Sequence, residues 1–105
     1  MTAKELLYKM PEAFRAEAAG DMEAVIQYDI SEPVHHVIKN GSLHVHDGHA
    51  DNPNLTVKIA DDDLVKLMTG ELNGMSAYMT GRLKVQGDMM LAQRLVGLVD
   101  RSKLT

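Results

Sequence analysis

The sequence predicts an α+β fold: a five-stranded, mostly antiparallel sheet with helices covering one of its faces. Three observations predict it. Five segments alternate apolar and polar residues with a period of two, the mark of strands with one buried face. Each of those strands has one apolar and one mostly polar side, and such sheets are wet on one face, covered on the other and usually antiparallel in majority. The remaining segments carry apolar residues at helical spacing, with capping residues at their starts.

The elements follow in order. Thr2 and Glu5 have the spacing of a capping box, and Leu6, Leu7 and Met10 give the first helix its apolar stripe. Pro11 is expected to break or restart that helix, with residues 12–19 adding a turn or two before Gly20. From residue 23 the period becomes two: Ala24, Ile26, Tyr28 and Ile30 on one face, Glu23, Val25, Gln27 and Asp29 on the other. Residues 34–46 read as a hairpin, because Asn40-Gly41 suits a type I′ turn. That turn pairs Lys39 with Ser42, Ile38 with Leu43 and His36 with Val45. His36 then joins the apolar face, while His35, Val37, His44 and His46 share the other.

The segment "NLTVKIA" is a fourth strand with Leu55, Val57 and Ile59 inward. Asp61, Asp62 and Asp63 open a helix, at the end where the helix dipole favours carboxylates. Leu64, Leu67 and Met68 form its stripe and Gly70 closes it. Asn73 caps the next helix, which presents Met75, Tyr78 and Met79 before Gly81. "RLKVQ" is the fifth strand, Leu83 and Val85 inward, Arg82, Lys84 and Gln86 outward. Asp88 caps the last helix. Its Met89, Met90, Leu91, Ala92, Leu95, Val96, Leu98 and Val99 leave only a narrow polar stripe, so it is more apolar than one packing face requires. Either two of its sides pack on protein, or one side meets something else apolar: a lipid, a partner subunit or a fused neighbour.

A chain of 105 residues is expected to form a single domain, residues 1–105, with one core. Eight methionines, one phenylalanine and no tryptophan make that core deformable, since methionine has three flexible torsions. The net charge of −4 argues against non-specific nucleic-acid binding. The absence of cysteine excludes disulfides, thiolate zinc sites and cysteine nucleophiles. The first ten residues lack the apolar run of a signal peptide, and no run approaches the roughly 20 apolar residues of a membrane span. A cytoplasmic protein is the expectation.

Motifs that carry chemistry are missing. Ser31, Ser42, Ser76 and Ser102 lie outside any G-x-S-x-G elbow. Phosphate-binding and dinucleotide-binding glycine motifs are absent. No catalytic residue and no cofactor are therefore expected. His35, His44 and His46 share one exposed face and have the chemistry to hold Zn²⁺ or Ni²⁺. No carboxylate or thiolate clearly completes the set, so adventitious metal binding on a solvated face is the expectation.

Three stretches, "VIQYDIS", "NGSLHVHDGHADNPNLTVKIADDDLVKLMTGELN" and "AYMTGRLKVQGDMMLAQRL", together resemble the sterol carrier protein type-2 domain. The similarity runs from about residue 4 to residue 99 and is most specific in "NPNLTVKIADDDLVKL" and "MTGRLKVQGDMMLAQRL". The resemblance implies an apolar tunnel between sheet and helices that takes sterols, fatty acids, acyl-CoA or phospholipids with broad tolerance. Two departures stand out. His35-His36 occupies a place where the family often has an aromatic residue. Ser102-Lys103-Leu104 matches a peroxisomal tripeptide, but Thr105 follows it, and that signal is read at the free C-terminus. The chain thus resembles a free-standing bacterial or archaeal member, for which sterol itself is not the expected ligand.

The expected function is non-enzymatic binding and transfer of a long-chain lipid: a fatty acid, acyl-CoA, phospholipid or sterol-like molecule. The expected cavity lining is Leu64, Leu67, Met68, Met75, Tyr78, Met79, Leu83, Val85, Met90, Leu91, Leu95 and Leu98, with Arg94 as a weak headgroup contact. The alternative is a structural or accessory module, whose apolar helices form a homodimer or deliver lipid-like substrates to a separate enzyme.

Overall fold

Asn40 and Gly41 take φ of 54° and 73°, the pair of left-handed positions that a type I′ turn requires. The turn fixes the expected register, Lys39 opposite Ser42, Ile38 opposite Leu43 and His36 opposite Val45. Around it, a computed structural model describes residues 2–100 and 103. The elements are α1 (Ala3–Ala13), α2 (Ala16–Ala19), β1 (Ala24–Asp29), β2 (Val34–Lys39), β3 (Ser42–Asp47), β4 (Leu55–Ile59), α3 (Asp61–Thr69), α4 (Gly74–Met79), β5 (Leu83–Gly87) and α5 (Met89–Leu98).

The five strands form one sheet in the order β3-β2-β1-β4-β5. Only β1 and β4 run parallel; the other three pairings are antiparallel. Asn54 fixes the parallel join. Its Oδ1 accepts from the Val25 N–H at 2.8 Å, and its own N–H donates to the Val25 carbonyl at 2.8 Å. The predicted faces hold: Ile26, Tyr28, Val34, His36, Ile38, Leu55, Val57 and Ile59 are buried beneath the helices with Leu6, Leu7 and Met10 of α1. That burial removes the core from water and is the main stabilising term.

Gln27 departs from the expected polar face. It is buried, because the loop after β3 folds over the outer side of the sheet there. Gln27 Oε1 accepts from the Ala50 N–H at 2.7 Å, and its amide nitrogen lies 3.4 Å from the carbonyls of Tyr28, Val34 and Gly48.

Pro11 does not break α1, which runs through it to Ala13. The proline has no N–H to return to the Leu7 carbonyl, and that carbonyl instead faces His36 Nε2 at 3.1 Å. The break falls at Phe14, which is extended and bridges antiparallel to Val99. The Arg15 N–H donates to the Leu98 carbonyl at 2.7 Å and the Asp100 N–H to the Ala13 carbonyl at 2.8 Å. The end of α5 is thereby stapled to the end of α1. Of Ser102-Lys103-Leu104, only Lys103 lies within the described residues.

Candidate functional site

The site is the flank where α3, α4 and α5 meet the β4–β5 edge. Three acidic residues occupy the first turn of α3, and Gly70 ends it at φ 87°. Asn73 Oδ1 caps α4 by accepting from the N–H groups of Met75 and Ser76, at 2.8 and 3.2 Å. Asp88 Oδ1 caps α5 in the same way, from Met90 at 3.0 Å and Leu91 at 3.2 Å. The two caps satisfy N–H groups that a helix start leaves without partners. They also fix which residues fall in each first turn, and so which methionines face out.

The twelve expected lining residues divide into three groups along this flank. Leu64, Leu91 and Leu98 are buried in the core. Leu67, Met68, Leu83, Val85 and Leu95 are half-buried and pack against it. Met75, Tyr78, Met79 and Met90 are 69%, 50%, 78% and 71% exposed. Burial thus declines toward the β5 edge. Val57 and Ile59 of β4 are buried, whereas their cross-strand partners Val85 and Leu83 are only half covered. One side of α5 is uncovered, with Met89 and Met90 exposed, so its two sides do not both pack on this chain. Met89, 44% exposed, belongs with this surface although the lining expected from sequence omits it. Asp88 was the signal that it begins α5 beside Met90. The side chain of Val96 lies outside the described residues.

Arg94 is exposed, and its Nη2 donates to the Ala18 carbonyl at 3.4 Å, which ties α5 to α2. Among the described residues, no three His, Asp or Glu side chains converge to hold an ion. His35 and His46 stack with centroids 5.2 Å apart and planes 26° from parallel. His35 Nδ1 is also 3.1 Å from the Gly48 carbonyl.

Among the described residues no helix is long and apolar enough to cross a membrane. The chain is 44% identical over 68 residues to peroxisomal multifunctional enzyme A from Dictyostelium discoideum, covering 64% of this chain but 15% of that protein's length. Its fold superposes on palmitated SCP2L2 from Aedes aegypti with TM-score 0.72 and 22% identity, over 90% of this chain and 91% of that one. A double mutant of the sec-alkyl sulfatase PisA1 from Pseudomonas sp. matches with TM-score 0.87 and 18% identity, over 95% of this chain and 16% of that one. The chain spans only a small part of the first curated relatives it matches. Residues 3–100 match the SCP-2 sterol transfer family, and the chain belongs to that family.

Proposed function

We propose that the chain binds and transfers a long-chain lipid without catalysing its conversion. The tail lies between the inner sheet face and α3, α4 and α5. One observation carries this reading: an apolar surface descends from exposed Met75, Tyr78, Met79 and Met90 to half-buried Leu67, Met68, Leu83, Val85 and Leu95, then to the core. The family assignment and the palmitated mosquito protein of the same fold support it.

The chemistry of that surface favours tails over heads. Each methylene removed from water is worth roughly 0.8 kcal/mol. Six of them give about 5 kcal/mol before the costs of association. Methionine repacks around different shapes, so affinity follows chain length and selectivity is low. The ligand class spans fatty acids, acyl-CoA, phospholipids and sterol-like molecules, held by the single domain of residues 1–105 in the cytoplasm. The N-terminal half of α5 is the gate. Met89 and Met90 at its start are exposed, while its C-terminal end is held by the Phe14–Val99 bridge.

Native mass spectrometry of freshly purified protein tests the proposal. Co-purifying lipid is the expected result. The exposed methionines also favour a second reading, a homodimer that buries them. Sedimentation that finds a stable lipid-free dimer, lost on Met79→Asp, replaces the carrier with that reading.

A further inference from the structure

A separate charged groove lies at one end of the sheet, where β1 and β4 finish and β5 begins. β4 and β5 pair so that Lys58 lies directly opposite Lys84. Arg82, the residue just before β5, lines the same groove as Lys84. Like charges placed directly opposite destabilise a sheet, so this arrangement calls for a counter-charge. The neighbouring carboxylates do not supply it. Asp29 stands beside Lys58 in the β1–β4 register, yet among the described residues neither Lys58 nor Lys84 has a carboxylate within ion-pair distance. Asp61 is engaged by Ser31, accepting from its backbone N–H at 2.9 Å and from its hydroxyl. Asp63 holds Arg82 only loosely, with Oδ2 at 4.0 Å from Nε.

Lys58, Arg82 and Lys84 line a groove of about 410 Å³ together with Asp29, Ser31 and Asp61. That volume falls in the range of small-molecule sites, roughly 300–1,000 Å³. Edge-strand protection explains Lys84 on β5, which ends the sheet. It does not explain Lys58, which sits on the interior strand β4.

We propose that this groove binds a phosphate-class anion through Lys58, Lys84 and Arg82. Guanidinium and ammonium groups donate charge-assisted hydrogen bonds to phosphate oxygens, and arginine does so in a bidentate fork. The chain's net charge of −4 gives anions no general attraction, so any binding is local to the groove. The anion comes from one of two sources, free phosphate or the headgroup of a lipid. The site does not depend on the apolar flank taking a tail, and its failure leaves the carrier reading standing.

The test titrates the isotopically labelled 105-residue chain with inorganic phosphate, against chloride at equal ionic strength, and follows the amides of Lys58, Arg82 and Lys84. A parallel arm measures co-flotation with phosphatidylcholine vesicles with and without phosphatidylglycerol. Saturating shifts with inorganic phosphate, weakened about tenfold by Lys84→Gln and by Lys58→Gln, establish a free-phosphate site. Co-flotation that needs phosphatidylglycerol and is lost in the same variants, without phosphate shifts, establishes a headgroup site. Both substitutions are on exposed side chains and relieve the opposed charges, so each is expected to raise the Tm of the phosphate-free protein. The proposal is overturned if neither probe binds, or if both bind the Lys58→Gln/Lys84→Gln double variant as they bind the parent.

Discussion

His36 Nε2 lies 3.1 Å from the carbonyl oxygen of Leu7, the one that Pro11 leaves without an intrahelical donor. A carbonyl only accepts, so Nε2 carries the proton and Nδ1 presents a lone pair. Nδ1 is buried without a partner among the described residues. The ring meets Tyr28 edge-on, with centroids 4.7 Å apart. Sheet and first helix are thus joined through one neutral imidazole, which lets a proline sit inside α1.

Acid should cost the fold stability through this buried imidazole. Burial pushes the His36 pKa from 6.5 down to about 4, opposed by the bond to Leu7 and aided by the charge of His35. Between those values the unfolded chain binds a proton that the folded chain refuses. The His36 contribution is therefore complete above about pH 6.5 and is lost as pH falls toward 4. The loss is roughly 3 kcal/mol. Urea unfolding of the wild type and of His36→Phe, measured from pH 4 to 7.5, checks this. The wild-type midpoint falls through that window, and the variant's profile is flatter. Glu5, Glu17 and Asp47 are held below their ordinary range by hydrogen bonds from Thr2, from the backbone of Glu17 itself and from Tyr8 respectively. They remain in both proteins, so the difference between the profiles isolates His36. Parallel profiles would count against the assignment.

Most of the fold was legible because its signals are local. Asn40-Gly41 set one register, Asn73 and Asp88 set two helix starts, and period-two runs set every strand face. Long-range contacts decided the rest. Pro11 reads as a breaker until His36, from another element, supplies the Leu7 carbonyl with a donor. Gln27 reads as exposed until residues 48–50 close over it. Of the site, the identities of the apolar residues were readable, but not their gradation from buried Leu91 to exposed Met90 one position earlier. That gradation depends on how far α5 reaches over β5. Lys58 facing Lys84 needed the β4–β5 register, which separate sequence segments do not carry.

Gly87 is expected to be the least replaceable glycine. Its φ is 110°, and a Cβ there would stand 2.4 Å from the Asn54 backbone carbonyl. That carbonyl also accepts the Asp88 N–H at 2.9 Å, and Asn54 clamps Val25. Gly87→Ala must shift β5, β4 and β1 together, at a cost of about 3 kcal/mol or more. Gly97 is the control. Nothing lies within 4 Å of its added Cβ, and Gly97→Ala gains about 0.5–1 kcal/mol of helix propensity. Thermal unfolding should move the two variants in opposite directions.

Removing the Asp88 cap should loosen α5 from one end only. Asp88→Ala leaves the Met90 and Leu91 amides without their acceptor, at a cost of about 1 kcal/mol. Hydrogen exchange of the first turn of α5 should quicken about fivefold, as that free energy implies. The Arg15 and Asp100 amides, held by the terminal staple, should exchange as before. Uniform acceleration along α5 and the staple would show that the helix opens as one piece.

Leu95→Asp puts the lipid reading at risk most directly. Leu95 is half-buried on the same side of α5 as Leu91, one turn earlier, at the level where the apolar surface passes from solvent to core. A carboxylate there keeps its water and disfavours an alkyl chain beside it. Because the position already meets solvent, the sheet and the α1 contacts should survive, with the far-ultraviolet circular dichroism retained. Uptake of a fluorescent fatty acid should fall more than about tenfold, the loss of roughly two buried methylenes. Leu95→Met keeps the surface apolar and should restore uptake, which separates loss of the surface from loss of the fold. If the folded Leu95→Asp protein takes up the probe as the parent does, the tail lies elsewhere.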